Sequence, residues 1–124
     1  MNDLQEKWVE ALESGKYEQG NGFLHVLLDG KHKYCCLGIA CEVMGVELMG
    51  VEGKLQDTIF YYGDRSGALG EYKQLGLLDK VGSFSRPIKY YGKTYKGLTY
   101  LNDDGVPFKE IAKIIRSNEE LVFR

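Results

Sequence analysis

Proline occurs only twice in these 124 residues and cysteine only three times. With so little proline, the turns must be made by glycine, and there are 16 glycines to make them. Cys35 and Cys36 are adjacent and Cys41 lies close by, which excludes a disulfide framework and leaves reduced thiols buried as small hydrophobes. No apolar run approaches the roughly 18 residues of a membrane-crossing helix. Histidine is limited to His25 and His32, and the cysteines fit no zinc spacing around them, so no metal site is expected. Neither sign of charge dominates. A net charge of −2 argues against a protein that coats polymeric nucleic acid, but a pocket for a small anion needs only a few cations. The opening residues Met1 to Lys7 are charged and amphipathic, unlike a signal peptide, so an intracellular protein is expected.

What is present is organised around the stretch from Tyr34 to Gly45. From Leu37 its apolar residues fall at Leu37, Ala40, Cys41 and Met44, one face of a helix, with Gly45 placed to end it. Glu42 alone interrupts the apolar run, so this helix must be buried and the other elements must pack around it.

Taken in order, Asp3 to Ser14 reads as a first helix, capped by Asp3, striped by Leu4, Trp8, Ala11 and Leu12, and ended by Gly15. Trp8 is expected on the central helix. The loop Lys16 to Gly22 carries Gly20-Asn21-Gly22, either a plain turn or an anion-binding nest. A strand over Phe23 to Leu28, an Asp29-Gly30 turn and a return strand from Lys31 to Tyr34 form a hairpin. Val46 to Tyr62 is β-like, best at Thr58 to Tyr62. Asp64 or Ser66 can cap a short helix from Gly67 to about Leu75, with Leu69 and Tyr72 inward. Val81 to Pro87 reads as a mobile loop presenting Phe84, two serines and Arg86; Ile88 to Tyr95 reads as a second hairpin turning near Gly92-Lys93. Leu98 to Gly105 is a helical turn. Pro107 opens a last helix with Phe108, Ile111, Ala112 and Ile115 inward and Arg116 at its dipole-negative end. Glu119 to Arg124 reads as a short strand without a partner nearby in sequence, open to pairing with another subunit. Together these define a single α+β domain over residues 1–124: a small antiparallel sheet with a buried central helix, and N- and C-terminal helices packed on it.

Catalytic chemistry finds little support. Cys36 with His25 or His32 is the one nucleophile–base candidate, and it lies in the most apolar segment, where thiols are inert. Asp103 and Asp104 are adjacent, so on a helix they diverge by about 100° and make a poor acid–base pair. Binding chemistry has a better inventory. Of the four arginines three stand beside aromatics, Arg65 by Tyr61 and Tyr62, Arg86 by Phe84 and Arg124 by Phe123, and Arg116 lies on the last helix. Guanidinium forks suit phosphate and rings suit bases, although solvated arginines and strand tyrosines would read the same way.

The ordered pattern Trp8…Ala11-Leu12-Glu13-Ser14-Gly15-Lys16-Tyr17-Glu18-Gln19-Gly20, Tyr34-Cys35-Cys36-Leu37-Gly38-Ile39-Ala40-Cys41 and Leu101-Asn102-Asp103-Asp104-Gly105, followed by Phe108…Ile111-Ala112, resembles a family of small phage and prophage proteins. It also resembles the type 1 anti-Thoeris sponges. That resemblance implies a non-enzymatic protein of the host bacterial cytoplasm. It would sequester, without cleaving, a cyclic ADP-ribose isomer made by a TIR-domain defence enzyme. It further implies a homo-dimer or higher homo-oligomer with pockets between subunits, cyclic oligonucleotides at separate sites in some members, and no cofactor. Asn102 fits the motif as a ligand-binding residue; Tyr91, Arg116 and Arg124 are carried over by their distance from Asn102, and Phe84 and Arg86 are added from composition. The rival class is a phage protein that inhibits a host enzyme by direct protein–protein binding. A hydrolase of the signal would depend on His25, His32 or a metal.

Overall fold

The computed structural model of the protein describes residues 1–54, 57–63 and 70–124. The first helix, α1, spans Asp3–Glu13. Asn2 caps it rather than Asp3: the Gln5 amide donates to Asn2 Oδ1 at 2.8 Å, and Gln5 Oε1 accepts from the Asn2 amide at 2.9 Å. This reciprocal box satisfies two donors that a lone Asp3 could not. Its deepest face is Gln5, Trp8, Val9 and Leu12, with Leu4 and Ala11 at the margins. The central helix, α2, runs Cys36–Met44 and is closed by Gly45 at φ +69°. Every residue from Cys36 to Cys41 is buried, so the helix is enclosed on all sides through its first turns.

The hairpin forms as expected. Strand β2 (His25–Leu28) and strand β3 (Lys31–Tyr34) are joined by Asp29 and Gly30, both at positive φ (51° and 78°), the geometry that suits a two-residue turn between twisted strands. Glu18–Gln19 (β1) adds to β3 in parallel. Thr58–Tyr62 (β5) pairs with β2, and Met49–Glu52 (β4) closes the far edge. The order is β1-β3-β2-β5-β4, so the sheet is mixed at one edge and antiparallel elsewhere.

Of the loop expected at 81–87, only residues 81 and 82 lie outside regular structure; residues 83–87 are strand. Ser83–Tyr90 (β6) pairs with Lys93–Gly97 (β7) in a second, two-stranded sheet. Ser83 pairs with Gly97 and Ile88 with Tyr95, so residues 84–87 stand opposite Lys96 alone. The extra residues make a bulge, which accommodates Pro87 where no ladder N–H is needed. The turn falls at Tyr91-Gly92. After it come α3 (Leu98–Asp103), α4 (Phe108–Ser117, with Pro107 at its N-cap) and α5 (Glu119–Val122). The chain end is thus a helical turn and not a strand. Phe123 makes a single bridge with Leu77, and the Arg124 amide donates to the Gly76 carbonyl at 2.8 Å, so the end finds its partner within its own chain. Of the short helix expected at 67–75, residues 67–69, including Leu69, and the Asp64–Ser66 cap, including Arg65, lie outside the described residues. Residues 70–76 form turns, with Leu75 buried and Tyr72 half-buried.

The result is an α+β fold with unequal halves. Helices α1, α2, α3 and α4 and the β6–β7 hairpin hold the apolar core. The five-stranded sheet contributes almost nothing to it: within β1–β5 the buried residues are His25 and Thr58, both polar, while every apolar side chain is at least partly exposed. The sheet joins the core where α2 crosses Leu24. The Cys35 amide donates to the Leu24 carbonyl at 3.1 Å, and Gly38 lies so close that a β-carbon there would collide with that same oxygen. Neither strand nor helix can shift without breaking this contact. Gly38→Ala should therefore cost about 3 kcal/mol or more, because backbone cannot relax as a flexible side chain does. Urea denaturation, or loss of soluble protein, reads the effect.

Candidate functional site

The Asn102 side chain is 1% exposed and fully engaged. Its Oδ1 accepts from the Cys36 amide and from Gln19 Nε2, each at 3.1 Å, and its Nδ2 donates to the Gly20 carbonyl at 2.8 Å. The Cys36 amide is one of the donors that a helix start leaves without an internal partner. Trp8 Nε1 donates to the Cys36 carbonyl at 2.9 Å, so side chains from α1 and α3 hold both backbone groups of one residue. The two aspartates that follow are also occupied: Asp103 accepts from the Gly22 amide at 3.2 Å, and Asp104 from the Tyr95 hydroxyl at 2.9 Å and from Lys93. The Gly20 amide donates to the Tyr34 carbonyl at 2.7 Å. The loop is therefore tied by protein acceptors at both glycines and is not an open anion nest.

The remaining candidate residues, carried over from the resemblance or added from composition, do not converge. Arg116 forks onto Glu13, with Nε and Nη2 donating at 2.9 and 2.8 Å, and also reaches Glu6 at 2.8 Å; it fastens α4 to α1. Phe84 points into the core at 8% exposure and is not a ring offered to a ligand. Arg86 on β6 and Arg124 at the chain end are exposed and make no ion pair among the described residues. Tyr91 is 88% exposed at the tip of the β6–β7 turn, edge-on to Tyr90.

The two histidines meet. His25 Nε2 and His32 Nδ1 lie 2.6 Å apart, and the His25 ring is stacked between Tyr34 and Tyr61 with centroids 4.3 Å away on both sides. This column stands on one face of the five-stranded sheet, across β3, β2 and β5. Burial and the neighbouring His32 hold the His25 pKa below its ordinary value. Glu42, Glu47, Val46, Leu48 and Cys41 complete a shallow recess of about 340 Å³ beside His25 and Tyr61. Burial pushes the Cys41 thiol up to about 12 and the Cys35 thiol to about 11, and the Cys36 thiol well above its usual value. Cys36 Sγ lies against the Leu98 carbonyl at 3.8 Å. None of the three is set up as a nucleophile. Among the described residues no three His, Cys, Asp or Glu side chains are placed to hold a metal ion, and no helix is long and apolar enough to cross a membrane.

The opposite sheet face holds the better site. Lys33, Val26, Phe60 and Val51 form one cross-strand row, with Leu28 and Thr58 in the next. Phe23 covers Phe60, with ring centroids 4.3 Å apart and planes tilted by 32°. The loop Gln19-Gly20-Asn21, pinned by Asn102, walls one side. The groove so enclosed has a volume of about 620 Å³. Among the described residues Lys33 is its one charged lining residue, loosely balanced by Glu18 at 3.8 Å. Thr58 is 5% exposed, and its hydroxyl has no hydrogen-bond partner among the described residues. A larger cavity of about 790 Å³, at the open end of the sheet, is lined by Asp29, Glu52, Asp57 and Lys54 and is acidic on balance, so it does not suit an anion. Sequence reasoning did not single out Phe23, Phe60, Thr58 or Lys33. The local signal was the alternation that puts Thr58 and Phe60 on one face of their strand; the β2–β5 pairing that sets them beside Leu28 and Val26 is long-range.

The chain belongs to the family described as Domain of unknown function (DUF8296), whose model matches residues 1–119. No curated protein and no solved structure matches it.

Three outcomes follow from this geometry. Asn102→Ala strands a buried amide and a part-buried carbonyl and should lower stability by about 3 kcal/mol in urea titrations, at about 1–3 kcal/mol for each orphaned group. Arg116→Gln should cost only about 1 kcal/mol, since the fork is half-exposed. The hydrogen bonds from Arg116 hold the Glu13 pKa below 4.5, so this contribution is present at neutral pH and fades as pH falls below that value. The depressed His25 acts in a higher window. Unfolded chains take up its proton near the ordinary value of 6.5 and the folded protein resists, so unfolding free energy should fall between pH 7 and pH 5. His25→Phe should flatten that slope.

Proposed function

We propose that this protein is a phage anti-defence sponge. It binds a cyclic ADP-ribose isomer in the host bacterial cytoplasm and holds it unchanged, so that a Thoeris-type effector never receives the signal. The observation that carries the reading is the groove on the exposed sheet face. It offers an aromatic pair, Phe23 and Phe60, for the purine, the Lys33 ammonium for a phosphate, and the pinned loop at Gln19-Gly20-Asn21 for ribose hydroxyls. A second copy, as in the sponges that the chain resembles, would close the open side, and the exposed Arg86, Tyr91 and Arg124 are available to reach the ligand from the facing subunit. Stacking, two phosphate contacts and exclusion of water together suit nanomolar affinity, about −12 kcal/mol. Some sponges also hold cyclic oligonucleotides, and these form the second ligand class to assay.

A specific observation favours the second reading, inhibition of a host enzyme by direct contact. The outer strand β4 is uncovered, with Met49 71% and Val51 46% exposed. Such an edge suits docking onto a protein.

The test is to incubate the protein with TIR-generated cyclic ADP-ribose isomers, filter, heat the retained protein, and run chromatography on both fractions. The signal should vanish from the filtrate and return intact on heating. Phe60→Ala and Lys33→Ala should each weaken retention about tenfold or more, and Arg116→Gln should leave it unchanged. Signal left in the filtrate would sink this ligand and turn attention to β4; altered nucleotide would mean a hydrolase.

A further inference from the structure

Thr58 is in an unexpected environment. It lies in β5 opposite Leu28, with its β-carbon and methyl close to Gly53, whose lack of a side chain lets the backbone there pass close to both Thr58 and Phe60. Its residue is 5% exposed, yet its hydroxyl is bonded to nothing among the described residues. Valine has the same shape, suits a strand at least as well and leaves no polar atom to desolvate. A buried hydroxyl without a partner is therefore a standing cost to the free protein, on the floor of a groove whose other lining residues include a stacked ring pair and one cation.

We propose that the Thr58 hydroxyl is the specificity-determining group of this groove. It reads the in-plane hydrogen-bonding edge of a purine whose face rests on Phe60 and whose phosphate meets Lys33. The assignment rests on the groove being a nucleotide site, and it narrows the ligand to an amino-substituted purine nucleotide with at least one phosphate. A hydroxyl both donates and accepts, so a change to another staggered χ1 rotamer can present it to the purine edge. The hydrogen bond then forms only in the complex, so it adds to affinity and removes the free protein's desolvation cost at the same moment.

The experiment compares the parent, Thr58→Val and Thr58→Ser by equilibrium dialysis and thermal melting, with adenosine 5′-monophosphate, ADP-ribose and purine riboside 5′-monophosphate, which lacks the exocyclic amine, as probes. The parent should bind adenosine 5′-monophosphate about tenfold more tightly than the purine riboside analogue. Thr58→Val should melt higher than the parent, bind adenosine 5′-monophosphate about tenfold more weakly, and lose the preference between the two monophosphates. Thr58→Ser, which keeps the hydroxyl, should retain that preference. A Thr58→Val protein no more stable than the parent would mean that the hydroxyl is already satisfied, and would overturn the proposal. Unchanged discrimination in Thr58→Val, or a parent that binds none of the three probes, would overturn it too. A parent that binds these probes with the expected preference but ignores cyclic ADP-ribose isomers would remove the sponge reading and leave the role of Thr58 standing.

Discussion

The backbone of Cys36 is the fixed point of this structure. Its amide is held by Asn102 from α3 and its carbonyl by Trp8 from α1, at the start of a helix that is buried all round. A helix N-terminus in such a place must have its donors satisfied by something other than water, and the Asn102 carboxamide does this while also tying down Gln19 and Gly20. Segments far apart in sequence are thereby located around one residue. Leu24 and Gly38 add the five-stranded sheet by direct backbone contact.

The residues of this junction, Trp8, Gly20, Cys36, Gly38 and Asn102, all belong to the sequence pattern on which the proposed resemblance rests. In this chain that pattern is a folding signature before it is a ligand signature. Asn102 illustrates the distinction. It shapes the groove by fixing the loop that walls it, while its own donors and acceptors are consumed by the protein. Arg116 is used in the same way by Glu6 and Glu13. Residues of this kind travel with the fold, whereas the groups that choose a ligand are free to differ among chains that share it.

Much of the scaffold was legible in the sequence. The apolar spacing of the central helix, the Asp29-Gly30 turn, the second hairpin and the inward face of α4 all depend on local rules of period and turn geometry. What failed depended on distant partners. Residues 84–87 break strand alternation because they form a bulge opposite Lys96, so they read as a loop. Leu121, Val122 and Phe123 are apolar enough for either strand or helix, and Gly76 and Leu77, far back in the chain, decide between them. The Asn2 cap was missed because Asp3 is an equally good capping residue locally, and only the reciprocal bond from Gln5 selects Asn2. The groove was hardest to see: a phenylalanine pair, a lysine and a threonine are unremarkable singly and acquire meaning only once three strands fix them on one face.

The division between a helical half that holds the core and a sheet that does not also bears on selectivity. In the sheet the usual order is inverted, with His25 and Thr58 buried and Leu28, Val51 and Met49 exposed, an arrangement that stability alone would not favour. Because the core is complete without it, the sheet can carry such a pattern at tolerable cost. The groove holds one cation in a chain of net charge −2, and the cavity at the sheet's end is acidic. A polyanion would gain little from Lys33 and would meet repulsion along the rest of the surface. On the nucleotide reading proposed above, a ligand with one or two phosphates escapes most of that penalty if stacking on Phe60 and an in-plane hydrogen bond to Thr58 supply the rest. Selection against nucleic acid would then be a property of the whole chain's charge, and selection among small nucleotides would fall to a few side chains on one sheet face.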